Sequence, residues 1–516
     1  MIYNFKMLEN EYWWGGTSED GLNAPFDSNT EISHDFRIDA SNQTMPMYLS
    51  SLGRCIWSEN PFKVTVNKGE FEIEGEDVTI ETFGDCLKDA YLGAMNKYFP
   101  PSGEELEREF FRVPQYNTWM QMTYNQTQEG VLKYAREIIE NGFKPGILMI
   151  DEGWQKDYGM WEFEAVKFPN PEEMLKELHQ MGFKVMLWVA PYVTPNGKFY
   201  ISHTQKQLLK DKSLEYFLRL ESGNVAKVGW WNGFSAILDL RKKEDRDLLD
   251  GQLKALMDIG VDGFKFDGGS VHCYSEEMQF SKGNYPKNHS AAECNIAWNE
   301  FGTRYKYHEY KDTFKGGGKR SIQRICDRDH SWGEKGLASF IPNGLLQGII
   351  GHPFVCPDMI GGGSWTFREL NLPVDQELFV RMAQCSAFFP MMQFSWAPWE
   401  AVDDEHLALI KAAHDLHCDL GDEIVRLVDK AHEDGQPIMR TLEYNYPHKG
   451  YEKIDDVFML GDEYLVAPVV VKGQTVREIP LPEGKWLGFD GNEYEGGKTV
   501  SLNVTLADMP YFKKIQ

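Results

Sequence analysis

The chain has 516 residues, 42% of them hydrophobic and 13% aromatic, which is enough for two or three globular domains. Its formal net charge of −26 argues against nucleic acid or an anionic membrane as a partner, because both are bound through basic patches. The eight cysteines include no CxxC pair, so neither a disulfide framework nor a zinc site is expected.

Residues 1–10 contain no basic segment followed by an apolar one, so the sequence predicts no signal peptide. No stretch approaches the roughly 18 uninterrupted apolar residues that a membrane span requires. We therefore expect a cytoplasmic protein that does not bind a membrane.

Residues 1–112 are β-rich and are predicted to form an N-terminal β-sandwich-like domain. Within them, the segment 71–81 alternates apolar and polar residues around a turn, which is typical of a β-hairpin. Beyond about residue 430 the period-two alternation returns, with turn signals at 460–462 and 481–484. We therefore predict a C-terminal β-domain at 431–516.

From Pro114 onward, short apolar runs alternate with long amphipathic segments, as in βα units around a parallel sheet. We predict a (β/α)8 TIM barrel at 113–430. The stretch 192–260 is too long for a loop and predicts an inserted subdomain on the active-site face. The eight predicted strands are 115–120, 146–151, 183–191, 261–267, 310–314, 321–327, 353–358 and 391–395.

Four of these strands end in an acid: Asp151, Asp267, Asp327 and Asp358. In a parallel barrel the strand ends form one rim, where catalytic groups lie. Hydrolysis of a glycosidic bond needs two carboxyl groups, roughly 5 to 5.5 Å apart in retaining enzymes, and several acids on one rim can supply them. A strand-end aspartate followed by two glycines, as at 267, can also serve only to cap a helix or close a turn.

Several tracts, in the same order, resemble glycoside hydrolase family 31. The Lys-Phe-Asp form at 265–267 and the Pro-Asp-Met-Ile-Gly-Gly run are more similar to an α-galactosidase branch of that family than to its digestive α-glucosidases. The tracts that carry the resemblance are Asp151–Trp154, Phe168–Pro171, Phe183–Pro191, Gly263–Asp267, Pro353–Gly362, Gly435–Arg440 and Leu465–Val469.

The resemblance implies that Asp267 is the nucleophile of a double displacement with net retention. It places the acid/base in the run Cys326–Trp332, where two aspartates compete. Asp327 ends the strand and lies 16 residues after Lys311, which matches the family's spacing from a substrate-binding arginine. Asp329 fits better when counted backwards from Asp358. We favour Asp327.

The resemblance further implies a set of substrate-binding residues. Asp151 would bind the sugar's distal hydroxyls, although it can also be a helix cap. Lys265 would keep the nucleophile ionised and contact the sugar, and Lys311 stands where the family has arginine, so it lacks the planar two-pronged contact. Trp188 and Trp231 would be walls of the sugar subsite, although each can also serve only in aromatic packing. Asp358 would bind substrate, although it can also serve only the loop structure.

We therefore predict a retaining exo-acting α-glycosidase that acts on an oligosaccharide or other glycoside with a terminal α-galactose or α-glucose. The alternative is a carbohydrate-binding or scaffolding barrel without turnover. The triplet Asp327-Arg328-Asp329 is also typical of metal-binding glycosyltransferase motifs, but nothing else resembles a nucleotide-sugar fold. The histidines 272, 330 and 352 lack metal-ligand spacing, so neither a metal nor another cofactor is expected.

Overall fold

The structure is a computed structural model that describes residues 1–195, 197–198, 200–202, 216–275 and 290–516. Its N-terminal region contains two β-sheets whose inner faces share one hydrophobic core. Trp13 and Tyr48 of one sheet pack in that core against Val64 and Phe71 of the other. The strands are β1 (Ile2–Lys6), β2 (Trp13–Thr17), β3 (Ile32–Asp35), β4 (Gln43–Ser50), β5 (Arg54–Trp57), β6 (Lys63–Asn67), β7 (Glu70–Glu74) and β8 (Thr79–Thr82).

The predicted hairpin at 71–81 is wrong. Strand β7 pairs with β6 and β1, whereas β8 pairs with β5 in the other sheet. Both strands show period-two alternation because each has one face on the shared core. The intervening residues carry the chain from one sheet to the other.

The (β/α)8 barrel is confirmed. The barrel strands are β9 (Gln115–Asn117), β10 (Ile147–Ile150), β11 (Lys184–Val189), β15 (Gly263–Phe266), β16 (Tyr307–Tyr310), β18 (Gln323–Arg324), β19 (Val355–Cys356) and β20 (Gln393–Phe394). These parallel strands follow the order β19-β18-β16-β15-β11-β10-β9-β20, and a bridge between Ile360 and Phe394 nearly closes the ring.

Amphipathic helices cover the barrel, and the longest described one, Asp404–Asp434, begins at an Asp403 cap and ends at Gly435 in a left-handed conformation. The other long helices are Leu87–Tyr98, Gln128–Glu140, Pro171–Gln180, Lys243–Asp258, Ala291–Gly302, Phe340–Ile349 and Gln376–Ser386. Short helices are Glu109–Arg112, Trp119–Met122, Val271–Tyr274, Trp365–Glu369, Pro398–Ala401 and Leu442–Asn445. Across the described part of the chain, no helix combines the length and apolarity that crossing a bilayer requires.

The fifth barrel strand lies earlier than predicted. Tyr307–Tyr310 pairs with β15, while Thr313–Phe314 forms a separate strand, β17, that pairs with β4 of the N-terminal sheet. The Asp312 carboxylate accepts the backbone N–H of Asn42 at 2.5 Å and fixes this exit from the barrel. The apolar signal of Phe314 therefore belongs to the N-terminal core.

The stretch 192–260 is only partly an insertion. Its described residues form a small sheet in the order β12 (Tyr192–Val193), β14 (Gly233–Ile237) and β13 (Lys227–Trp230). Residues 243–258 are instead a barrel helix, whose Leu249 and Leu253 pack in the barrel core. Positions 196, 199 and 203–215 of this stretch lie outside the described residues.

The C-terminal region forms two further sheets around a common core that includes Ile479, Trp486 and Phe512. A six-stranded sheet has the order β21-β22-β23-β28-β25-β26, and β24 pairs with β27. The strands are β21 (Met439–Arg440), β22 (Phe458–Leu460), β23 (Tyr464–Val466), β24 (Val476–Leu481), β25 (Lys485–Gly488), β26 (Glu493–Glu495), β27 (Lys498–Asn503) and β28 (Tyr511–Lys514). The fold class predicted from the sequence is thus confirmed in all three of its parts.

Candidate active site

The carboxyl ends of the barrel strands surround a cavity of about 200 Å³. This volume lies below the roughly 300–1,000 Å³ of pockets for drug-sized ligands, so the cavity suits one small polar molecule. It is lined by Trp119, Tyr124, Asp151, Glu152, Trp231, Lys265, Asp267, Lys311, Asp327, Met359 and Trp365. Acids and lysines thus converge where a parallel barrel places its catalytic groups.

Asp267 follows β15 at the point where the chain turns sharply. Gly268 and Gly269 have φ values of +65° and +69°, and a Cβ on Gly268 would lie 2.6 Å from the ring of Tyr192. Glycine is therefore required directly after the carboxylate. The Asp267 oxygens accept hydrogen bonds from the Gly268 N–H at 2.8 Å and from the Trp188 Nε1–H at 3.0 Å.

Lys311 lies between Asp267 and Asp327. The three residues follow β15, β16 and β18, which are neighbours in the barrel, so the lysine occupies the middle position. Its Nζ is 3.3 Å from Oδ1 of Asp267 and 3.3 Å from Oδ2 of Asp327. Burial opposes ionisation of Asp267, but the charges of Lys311 and Lys265 outweigh it and hold the pKa of that carboxyl below its ordinary value.

Asp327 reaches the cavity and Asp329 does not line it. The Asp327 side chain is 35% exposed, and its Oδ1 lies 3.0 Å from Nη1 of Arg324. Burial opposes ionisation here too, but Lys311 and Arg324 together lower the pKa of Asp327. The main chain of Asp329 is held in a loop, where its N–H donates to the Lys335 carbonyl at 2.6 Å.

Lys265 and Asp151 form a buried ion pair in the floor of the cavity. The distance from Nζ to Oδ2 is 2.6 Å. Lys265 thus pairs directly with Asp151, and its effect on the ionisation of Asp267 is smaller than that of Lys311. Both residues line the cavity.

Trp231 lines the cavity, and Glu152 holds it there. The Trp231 indole, 50% exposed, donates through Nε1 to Oε2 of Glu152 at 3.0 Å. Tyr158 and Asn232 donate to the other oxygen at 2.8 Å and 2.5 Å. Burial raises the pKa of Glu152 to about 7, against the opposing effect of the Tyr158 and Trp231 hydrogen bonds. The sequence offered one signal for Glu152, a second acid directly after Asp151.

Two residues predicted to bind substrate do not line the cavity. Trp188 has 0% exposure, so it cannot be a wall of the sugar subsite, and it instead orients the Asp267 carboxylate. Asp358 is also fully buried. Its oxygens accept hydrogen bonds from Nη1 of Arg324 at 2.6 Å, from the Arg328 N–H at 2.5 Å and from the Gly363 N–H at 2.7 Å. Asp358 therefore serves the loop structure.

Arg324 was not predicted as a site residue, because it lies in the predicted strand 321–327, whose pattern is that of an apolar strand. Its fully buried guanidinium contacts Asp327 and Asp358, and its Nε lies 3.5 Å from Glu309. It thus connects an acid on the cavity surface to acids in the barrel interior. Four further cavity-lining residues were not predicted as site residues: Trp119, Tyr124, Met359 and Trp365. Met359 lies in the tract Pro353–Gly362, whereas the other three lie outside the tracts that carry the family resemblance.

Two family models match the chain. Residues 114–420 match the "Glycosyl hydrolases family 31 TIM-barrel domain", which covers more than half of the sequence, and residues 435–515 match the "Glycosyl hydrolase family 31 C-terminal domain". The chain belongs to glycosyl hydrolase family 31. The family predicted from the sequence motifs is thereby confirmed.

Relatives within family 31 are longer than this chain. The mouse myogenesis-regulating glycosidase is 31% identical over 430 residues, which is 81% of this chain and 58% of that protein. Alpha-glucosidase 2 of Bacillus thermoamyloliquefaciens is 25% identical over 565 residues, or 99% of this chain and 67% of that protein. The chain thus spans about three-fifths of the mouse relative.

Solved structures with the same fold align with nearly the full length of the chain. A Flavobacterium johnsoniae dextranase complexed with glucose has a TM-score of 0.82 at 20% identity, covering 99% of this chain and 66% of that one. A cycloalternan-degrading enzyme from Trueperella pyogenes, in complex with a covalent intermediate, also has a TM-score of 0.82 at 20% identity, covering 100% and 77%. These likenesses concern the backbone fold.

Proposed function

We propose that this family 31 chain is a retaining exo-acting α-glycosidase that removes a terminal α-linked hexose by double displacement. The observation that carries the proposal is that Asp267 and Asp327 face one small cavity and share the ammonium of Lys311 at 3.3 Å each. Two carboxylates that contact one ammonium group at these distances can be separated by the roughly 5 to 5.5 Å that retaining enzymes have between their carboxyl groups.

In the first displacement Asp267 attacks the anomeric carbon. Its carboxylate is suited to this step because Lys311 and Lys265 favour the ionised form, and Trp188 and Gly268 fix its orientation. The bond from the anomeric carbon to the leaving oxygen breaks, and Asp327 gives that oxygen a proton.

In the second displacement Asp327 acts as a base. It takes a proton from a water molecule, whose oxygen attacks the anomeric carbon and releases Asp267, so the configuration is retained. Arg324 and Lys311 stabilise the ionised Asp327 that this step requires. Their presence also means that Asp327 must gain its proton against two nearby cations before the first step.

Binding of the sugar depends on the groups that surround this pair. We assign the distal hydroxyls to the Asp151–Lys265 ion pair and one ring face to Trp231. Polar floor and aromatic wall together match a sugar, which has hydroxyls at its edge and C–H groups on its face. The name of one relative, an alpha-glucosidase, supports a terminal glucose, whereas galactose rests on the resemblance of the tracts at 265–267 and 357–362 to an α-galactosidase branch.

The test is a panel of aryl α-glycosides: galactoside, glucoside, xyloside and N-acetylgalactosaminide. We expect release from the galactoside or the glucoside, and none with Asp267→Ala. A fluorinated glycosyl substrate should form a stable adduct, and peptide mapping should place it on Asp267. Sugar binding without release from any substrate would favour the carbohydrate-binding alternative.

A further inference from the structure

The turn after Asp267 is held in place through its backbone. The N–H of Gly268 donates to the Asp267 carboxylate at 2.8 Å, and the Gly268 carbonyl accepts the indole N–H of Trp298 at 3.1 Å. The carbonyl of Gly269 accepts a hydrogen bond from the amide of Asn295 at 2.8 Å. Trp298 and Asn295 lie on one barrel helix, so the barrel itself supplies two of the partners of this turn.

The fourth polar group of the turn, the N–H of Gly269, is bound from outside the barrel. It donates at 3.1 Å to the hydroxyl of Tyr192, the first residue of β12 in the small sheet of β12, β14 and β13. Both residues are buried. A buried N–H that loses its acceptor is costly, so without this hydroxyl the turn must shift or keep an unpaired donor.

Tyr192 is itself restrained at its ring and at its hydroxyl. The ring stacks on Trp230, with centroids 4.2 Å apart and 30° between the planes, and it lies so close to Gly268 that a Cβ there would come within 2.6 Å. The hydroxyl donates to Sγ of Cys273 at 3.1 Å. Glycine has many accessible conformations, so the geometry of a two-glycine turn depends on contacts of this kind.

We propose that Tyr192 is a positioning residue for the nucleophile: its hydroxyl fixes the N–H of Gly269, and the turn then aims the Asp267 carboxylate at the anomeric carbon. This role rests on the proposed function, in which Asp267 attacks the sugar. Tyr192 is 1% exposed and does not line the active-site cavity, so it does not bind the sugar. A small displacement of the attacking oxygen lowers the rate of attack without lowering affinity for the sugar.

The experiment measures how fast a fluorinated glycosyl fluoride forms its adduct with the protein. An oxygen of Asp267 bonds to the anomeric carbon while fluoride leaves with its electron pair. The limiting rate constant therefore reports attack, and the half-saturating concentration reports sugar binding. In Tyr192→Phe, which keeps the ring, we expect the rate constant to fall about tenfold and the half-saturating concentration to stay unchanged.

The matched control is Tyr91→Phe. The Tyr91 hydroxyl is also buried and donates to the Gly435 carbonyl at 2.6 Å, and Tyr91 does not line the active-site cavity. Its removal tests the loss of a buried hydroxyl alone and should leave the rate constant unchanged. Three results overturn the inference: an unchanged rate constant in Tyr192→Phe, an equal fall in both variants, or weaker binding without slower attack.

A second pair of variants tests the same link if Tyr192→Phe fails to fold. Cys273→Ala removes the acceptor of the Tyr192 hydroxyl and should lower the rate constant severalfold, whereas Cys273→Ser supplies another acceptor and should largely preserve it. Equal rate constants in these two variants also overturn the inference.

The unmodified protein separates the two proposals. If it forms no adduct, the proposed function fails and the role of Tyr192 fails with it. If the adduct maps to Asp267 but the Tyr192 and Cys273 variants form it at the unmodified rate, the role of Tyr192 fails alone.

Discussion

The ammonium nitrogen of Lys311 lies 3.3 Å from Oδ1 of Asp267 and favours the ionised form that a nucleophile needs. The same lysine contacts Asp327, for which the first displacement needs the protonated form. The charge of Lys311 therefore favours attack by Asp267 and opposes protonation of Asp327.

Removal of the Lys311 charge should shift the pH profile of kcat/KM to higher pH. Without this cation the pKa values of both carboxyls rise, since their ionised forms lose a neighbouring positive charge. In Lys311→Gln we expect both limbs of the kcat/KM profile to shift to higher pH, the acidic limb because Asp267 must be ionised and the basic limb because Asp327 must be protonated. Lys311→Arg keeps the charge and should keep the limbs. Unshifted limbs in Lys311→Gln would contradict this electrostatic role.

Trp188 and Trp231 should differ in their kinetic effects. Trp188→Phe removes a hydrogen bond to an ionised group without touching the sugar, so we expect kcat to fall about tenfold or more with little change in KM. Trp231→Ala removes a wall of the cavity and should raise KM. Steady-state kinetics on one aryl glycoside measures both variants. A raised KM with unchanged kcat in Trp188→Phe would indicate that Trp188 is a wall of the sugar subsite.

Glu152 should couple sugar binding to pH. Its ionised carboxylate accepts hydrogen bonds from three side chains, including Trp231, and with a pKa of about 7 it becomes protonated as the pH falls through that value. Protonation converts an acceptor into a donor that faces other donors, so the wall loosens and KM should rise below about pH 7. Glu152→Gln should have the raised KM at all pH values. A pH-dependent KM in that variant would assign the titration to another group.

Asp327 and Asp329 are distinguished by leaving-group dependence. Asp327→Asn should lower kcat/KM, which reports the first displacement, by about 10²–10⁴ on a glycoside whose leaving oxygen needs a proton. The loss should be much smaller on a dinitrophenyl glycoside or a glycosyl fluoride. Asp329→Asn should behave like the unmodified protein on both. The reverse pattern would identify Asp329 as the acid.

Asp358 should affect stability before it affects substrate binding. Asp358→Ala leaves the fully buried Arg324 without its 2.6 Å partner and removes the acceptor of two backbone N–H groups. Breaking a buried ion pair costs about 3–5 kcal/mol, so we expect the thermal unfolding midpoint to fall by several degrees. Asp329→Ala, as the control, should change it little. An unchanged thermal unfolding midpoint together with a raised KM in Asp358→Ala would indicate that Asp358 binds substrate.

The sequence by itself determined the architecture and the rim on which the chemistry lies. Apolar runs alternating with amphipathic segments specify a parallel sheet covered by helices, and strands that end in Asp151, Asp267 and Asp327 bring those carboxylates to one edge. The glycines at 268 and 269 marked the turn after the nucleophile, because their conformation is local.

Only the tertiary structure decided which side chains face the cavity. Trp188 and Asp358 lie in tracts that resemble family signatures, yet packing against remote segments turns both inward, whereas Trp365 lies outside those tracts and lines the cavity. The fifth strand was misplaced for the same reason: Asp312 binds the backbone of Asn42, 270 residues away along the chain. Local patterns fix the period of a strand, but contacts between distant residues decide its register and the direction of each side chain.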